Sequence, residues 1–209
     1  NIFGLVNHGR AQRAAARITK EAHGVDALCL FSCIGNHAIG LQRAGIRTVA
    51  FAEKNPWRRA RIAESFPAAY IYEDVRDAIP EVASIVIGGP PCQRTSVAAA
   101  IHGKRDGESL WPYMRDIGFD MGAEWFVVEQ PPGNAALEAQ VNRHLCASGY
   151  HVARFVFGAQ DVGAPYPRRR VYLIACTSWP RLEVAWASRS SAIDRAKRSA
   201  MARGDWHPE

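Results

Sequence analysis

Cys92 ends the stretch Gly88-Gly89-Pro90-Pro91-Cys92, directly behind the apolar run Ser84-Ile85-Val86-Ile87. Two prolines fix φ ahead of the cysteine, and two glycines let the chain turn sharply off a strand end. A nucleophile held in one orientation needs such a platform; a buried structural cysteine does not. A free thiol has a pKa of about 8.5, so little of it is thiolate at neutral pH without a cation nearby. Arg94 and the run Arg168-Arg169-Arg170 are candidate cations. A second apolar run, Trp125 to Val128, ends at Glu129 before another rigid loop, Gln130-Pro131-Pro132-Gly133-Asn134. The hairpin-like stretch "QDVGAPYPRRRVYLIA" sets the arginines at a strand start, and strand alternation predicts Arg168 and Arg170 on one face and Arg169 on the other. A thiol, a carboxylic acid and a guanidinium at neighbouring strand ends can hold a flat heterocycle. The thiolate attacks, the acid supplies a proton, and the arginine recognises a carbonyl.

A second constellation lies upstream. The strand-like "ALCLF" is followed by Ser32, Cys33, Ile34, Gly35 and Asn36 and then by a helical stretch. In open α/β sheets, ligands sit beyond the carboxyl ends of strands, where glycine lets the backbone approach a bound group. Cys33 and Asn36 occupy positions that the dinucleotide fingerprint gives to glycine, so this is a different turn. Glu53 ends the next strand about twenty residues on, where an acid can accept ribose hydroxyls. Asp74 follows the third strand, where it can face an adenine amino group. Gly, Glu and Asp on three consecutive strand ends read as a nucleoside site without strong phosphate capture.

The elements that must position these groups alternate. Strands are expected at Val25–Phe31, Thr48–Ala52, Tyr70–Tyr72, Ser84–Ile87, Trp125–Val128, His151–Phe157 and Val171–Ala175. Helices are expected near 38–44, 56–65, 110–121 and 135–147. This grammar predicts an α/β fold on a largely parallel sheet. Residues 1–24 read as a basic helical segment, 25–177 as the catalytic domain, and 178–209 as a basic tail with one exposed helix or a frayed end. The 209 residues suit one domain with extensions, and the formal charge of +6 favours an anionic partner such as nucleic acid. Five scattered cysteines with no Cys-x-x-Cys pair give no zinc signature and predict reduced thiols in a cytoplasmic setting. No apolar run reaches membrane-spanning length.

Taken in order, the motifs resemble the DNA (cytosine-5) methyltransferases. "LCLFSCIGNHAIGLQRAGI" is similar to their first motif, "GGPPCQRTS" to their Pro-Cys-Gln loop, "FVVEQPPGN" to their Glu-Asn-Val motif and "GAPYPRRRVYLIA" to their Gln-Arg-x-Arg motif. The resemblance covers about residues 25 to 177 and implies a Rossmann-like class I fold, a mostly parallel twisted sheet flanked by helices. It implies S-adenosylmethionine as methyl donor and cytosine in DNA as acceptor, with Cys92, Glu129, Arg168 and Arg170 catalytic. Donor contacts would come from Phe31, Ser32, Ile34 and Gly35 on the first turn, and from Glu53, Lys54, Asp74 and Val75 on the next two. Pro90 and Leu110 would complete them, with "LWPYMRDI" as the helix after the catalytic loop.

The chain also departs from that pattern. Gln130-Pro131 stands for the usual Asn-Val, Tyr166-Pro167 for the residues before the arginines, and Cys33 for the first motif's leading glycine, which implies weaker donor binding. Cys29 occupies a position often held by an acid. No long target-recognition region or final Asn-containing motif is recognisable after Ala175, a shortness seen in phage-like members. The resemblance therefore implies little sequence specificity of the chain's own, or a separate specificity partner. "GLVNHGRAQRAAARI" reads either as that final motif permuted to the N-terminus, with Asn7 near the donor, or as a DNA-facing basic helix. Two other functions compete: a non-catalytic nucleic-acid-binding or partner-activating relative, and C5 alkylation of RNA or of a modified pyrimidine.

Overall fold

The computed structural model describes residues 25–78, 83–91 and 109–187. Asn7 and the N-terminal segment, Cys92, Arg94, and the tail beyond residue 187 lie outside the described residues. Seven strands and five α-helices occur among those described, with both parallel and antiparallel pairing, in two compact units. None of the helices is long and apolar enough to cross a membrane.

The first unit comprises residues up to Gly88 together with Pro112–Glu124. Its strands are β1 (Asp26–Leu30), β2 (Arg47–Ala52), β3 (Tyr70–Tyr72) and β4 (Ile85–Gly88), in the order β3-β2-β1-β4 and all parallel. Every residue of β1 and β4 is buried, as unbroken apolar runs in a parallel sheet covered on both faces should be. Helices α1 (Asn36–Arg43) and α2 (Pro56–Ser65) follow β1 and β2. The start of α2 is written locally: the Asn55 side chain accepts from the Arg58 amide at 3.1 Å, and Pro56 occupies the first helical position. Leu28, Leu30, Phe51, Ile62 and Val86 are fully buried, with the Phe51 and Phe66 rings 5.0 Å apart. Asp26 and Arg47 open β1 and β2 in register and form a two-pronged ion pair, at 3.0 and 2.6 Å. Helix α3 (Trp111–Asp120) contributes buried Met114 and Ile117.

The second unit comprises Gly89–Trp111 and the residues from Trp125 on. It holds β5 (Trp125–Gln130), α4 (Ala135–Ala147), β6 (His151–Phe157), β7 (Arg170–Cys176) and α5 (Trp179–Ala187). The strand order is β5-β7-β6, and β7 runs antiparallel to both neighbours. β5 and β6 are therefore parallel across α4, as the βαβ grammar predicts, and β7 alone is reversed. The return from β6 to β7 carries a single 3-10 turn (Ala159–Val162) and no crossover α-helix, as an antiparallel neighbour allows. Phe126, Val128, Val141, Leu145 and Val171 fill this core, and Trp111 packs edge-on to Phe126 at 6.2 Å. The Trp111 indole donates to His144 Nδ1 at 3.1 Å. Of the two readings of the stretch from Trp179, an exposed helix or a frayed end, the described part is a helix, anchored by Leu182, which is buried.

Candidate active site

In the first unit, the chain leaves β1 through a tightly held turn. Phe31 (φ 55°) and Cys33 (φ 52°) both adopt the left-handed region, as does Gly35 (φ 87°). For the two residues with side chains this costs roughly 1–2 kcal/mol each, so neighbours must hold the turn. The Ser32 hydroxyl donates to Cys29 O at 2.6 Å and reaches Ala52 O at 3.3 Å, and the Ser32 amide donates to Ala52 O at 3.1 Å. The Cys33 amide donates to Glu53 Oε2 at 2.8 Å. Cys33 thus sits where glycine would adopt the same backbone without strain. Ile34 is exposed.

Glu53 is buried, and its other oxygen, Oε1, accepts from the Asn55 amide at 2.9 Å with Arg58 Nη1 at 3.8 Å. A carboxylate has about four acceptor positions, so each oxygen retains one beyond its amide. Glu53 thus holds the turn through two backbone amides, a role that the sequence did not suggest. Arg59, not singled out from sequence, holds the same corner: Nη1 donates to the carbonyls of Glu53 at 3.2 Å and Lys54 at 2.8 Å, and Nη2 pairs with Glu73 at 3.2 Å. Glu53→Gln should lower stability by about 1–3 kcal/mol, because an NH2 would then face a backbone donor. Urea unfolding of the ligand-free protein measures this; an unchanged midpoint would mean that the carboxylate does not hold the turn.

Asp74 is also engaged. Its Oδ1 accepts from the Arg76 amide at 3.0 Å, while Oδ2 lies 3.2 Å from Arg76 Nη1 and 3.6 Å from Lys54 Nζ. The Arg76 amide holds the Asp74 carboxyl below its ordinary range; burial opposes it, and the Arg76 and Lys54 charges add to the lowering. Val75 beside it is buried, and Lys54 is exposed. Burial pushes the Cys29 thiol up to about 12, with the Ser32 hydrogen bond working against the shift and Glu53 adding to it. Cys29 should therefore stay unmodified by iodoacetamide in mildly alkaline buffer, while exposed Cys33 and Cys146 react. Peptide mass mapping of the native protein reads this, and early modification of Cys29 would contradict its burial.

In the second unit, β5 alternates with Phe126, Val128 and Gln130 buried and Val127 and Glu129 half-buried. Glu129 lies opposite Tyr172 in the antiparallel register, which places Arg170, two residues earlier on the same face, diagonal to it. Arg170 Nε lies 2.5 Å from Glu129 Oε1, and Arg170 Nη1 donates to Arg169 O at 2.9 Å. The strand begins only at Arg170, so the alternation expected from Arg168 onward does not extend to that residue. Pro165 and Pro167, which offer no N–H to a ladder, precede it. Arg168 and Arg169 are exposed, and none of the ion pairs among the described residues joins Arg168 to Glu129. Arg168 still acts on this face through its charge. Burial pushes the Tyr172 phenol up, Glu129 adds to that, and Arg170 and Arg168 oppose it.

The Gly-Gly-Pro-Pro stretch meets β5 at this point. A Cβ built on Gly89 would fall 2.7 Å from Glu129 Oε2, so the backbone passes close against the carboxylate, and a side chain there would push that carboxylate aside. Gln130, on the opposite face, donates through Nε2 to Pro90 O at 3.0 Å, and Asn134 Nδ2 donates to Gln130 Oε1 at 3.2 Å. Pro90 is buried and Leu110 half-buried. The sequence marks Gln130 only as a departure from the motif and gives no signal for Gly89 and Asn134 as partners, since those contacts depend on strand register. No group of His, Cys, Asp and Glu suited to a metal ion occurs among the described residues.

Residues 25–199 match the model of the C-5 cytosine-specific DNA methylases. The chain belongs to that family. Among curated relatives, this methylase chain is 27% identical to the type II methyltransferase M.FnuDI of Fusobacterium nucleatum, over 70% of its own length and 45% of the relative's. It is 28% identical to M.NgoPII of Neisseria gonorrhoeae, over 81% and 53%. The methylase chain thus spans about half the length of these relatives. Its structure matches that of a Spodoptera frugiperda DNMT2 mutant at a TM-score of 0.61 and 19% identity, over 75% of this chain and 51% of that one. The fold is the class I methyltransferase fold expected from the motifs, with mixed strand pairing.

Proposed function

We propose that this methylase transfers a methyl group from S-adenosylmethionine to C5 of cytosine in DNA, through a transient bond from Cys92 to C6. The observation that carries the reading is the contact of Gly89 with Glu129, beside the Arg170 ion pair. Cys92 follows Gly89 by three residues, so it lies no more than roughly 11 Å of chain from a glycine that touches the acid. That short span of chain supports a reading in which the Cys92 thiol works beside the Glu129 carboxyl and the Arg170 guanidinium.

The first unit suits the donor. Glu53 keeps an acceptor position on each oxygen for ribose hydroxyls, and the turn from Phe31 to Gly35 is held in a strained backbone of the kind found at ligand sites. S-adenosylmethionine, when bound there, supplies the electrophilic methyl group. The Cys92 thiolate adds to C6, which makes C5 nucleophilic; a neutral cytosine is too weak a nucleophile without this step. Glu129 hydrogen-bonds the N3/N4 edge and delivers a proton to N3 as electrons move onto the ring. Arg170 binds O2, and Arg168 adds positive potential. After methylation, a base takes the C5 proton, the ring expels Cys92 as thiolate and N3 returns its proton to Glu129, restoring the enzyme. In a duplex the base must first be flipped out, at a cost of roughly a few kcal/mol.

Purified protein, tritiated S-adenosylmethionine and duplex DNA test the reading. Transfer should occur and should vanish in Cys92→Ala, and DNA carrying 5-fluorocytosine should trap a covalent adduct, because fluorine cannot leave C5 as a proton does. Transfer undiminished in Cys92→Ala would refute the adduct. Bisulfite sequencing of DNA from expressing cells then shows which cytosines are modified.

A further inference from the structure

We infer that Gln130 and Asn134 are positioning residues that hold the backbone two residues ahead of Cys92. This rests on the methyl-transfer reading above. Both side chains are only 3% exposed. Pro90 has no N–H, so its carbonyl can only accept, which fixes Gln130 Nε2 as the donor and Oε1 as an acceptor. Asn134 must then turn Nδ2 toward Gln130, leaving its own Oδ1 buried without a partner. The chain of hydrogen bonds runs in one direction only.

Asn134 is placed where it would normally serve its helix. It precedes α4 at the N-cap position, where an asparagine side chain usually accepts from the first turn and stabilises the helix. It makes no such bond. It forgoes the cap and carries a buried, unpaired oxygen, both unfavourable, while orienting Gln130. A residue serving stability alone would cap the helix. Together with Gly89 against Glu129, the clamp registers two consecutive residues of the cysteine's approach against two consecutive residues of β5, one on each strand face. Misplacement of a reacting group by about 1 Å can cost 10²-fold in rate.

Asn134→Ala separates positioning from stability, because it removes the unpaired oxygen together with the orienting amide. Expected is a fall in kcat of about ten- to hundredfold, with KM for S-adenosylmethionine unchanged and the melting temperature nearly so. Gln130→Glu supplies a pH readout. Its new carboxyl can donate to Pro90 O only when protonated, so its activity relative to the parent should recover as pH is lowered. Unchanged kcat in Asn134→Ala, or loss of activity only in step with loss of stability, would overturn the inference. If the parent protein transfers no methyl group, the function reading fails. The rate of iodoacetamide alkylation at Cys92 then decides the clamp: a rate changed in Asn134→Ala supports it, and an identical rate refutes it.

Discussion

Glu129→Gln is expected to slow methyl transfer by about 10²–10⁴-fold, the usual contribution of a positioned general acid, while the protein stays folded. Glutamine matches glutamate in shape, so the Gly89 contact survives. The substitution removes the proton that N3 must receive as Cys92 adds to C6. It also removes the ion pair to Arg170, whose side chains are 27% and 19% exposed for arginine and glutamate. A pair that accessible contributes only about 0–1 kcal/mol to folding, so the loss should appear in rate and not in stability. Single-turnover transfer with saturating donor, measured beside thermal unfolding, gives both quantities. A rate equal to the parent's would remove Glu129 from the chemistry.

Gly88→Ala is expected to have the larger effect on folding, about 2–4 kcal/mol. Gly88 ends β4 in register with Leu30 at the end of β1. An added Cβ would lie 2.5 Å from Leu30 O and 3.2 Å from Leu30 C, both backbone atoms of a fully buried strand. Neither can rotate away, so the strands must separate at the point where the Phe31–Gly35 turn begins. Gly89→Ala is the contrast. There the obstructing atom is the end of the Glu129 side chain, which can swing aside, so folding should change little while the carboxylate leaves its place. Urea unfolding of both variants tests the pair. A cost below about 1 kcal/mol for Gly88→Ala would show that the β1–β4 edge yields more readily than its geometry implies.

Local order was legible along the chain because it rests on local physics. Apolar runs marked every strand among the described residues to within a residue or two, and Asn55-Pro56 marked a helix start from side-chain and ring geometry alone. The motifs likewise pointed to Glu53, Glu129 and Arg170 as strand-end groups. Their roles were less legible. Glu53 has both oxygens on amides of Cys33 and Asn55, which requires β1 and β2 to lie side by side. Arg168 and Arg170 looked equivalent by alternation, yet only Arg170 is in a strand.

From the sequence alone came the order of elements, the family and the residue types able to do the chemistry, since propensity, apolar periodicity and motif spacing are properties of neighbouring residues. Tertiary structure decided which arginine meets Glu129, that Gly89 passes against the Glu129 carboxylate, and that Gln130, held by Asn134, bonds Pro90. Those outcomes turn on the register between strands distant in sequence, where a slip of one residue would carry each side chain to the opposite face.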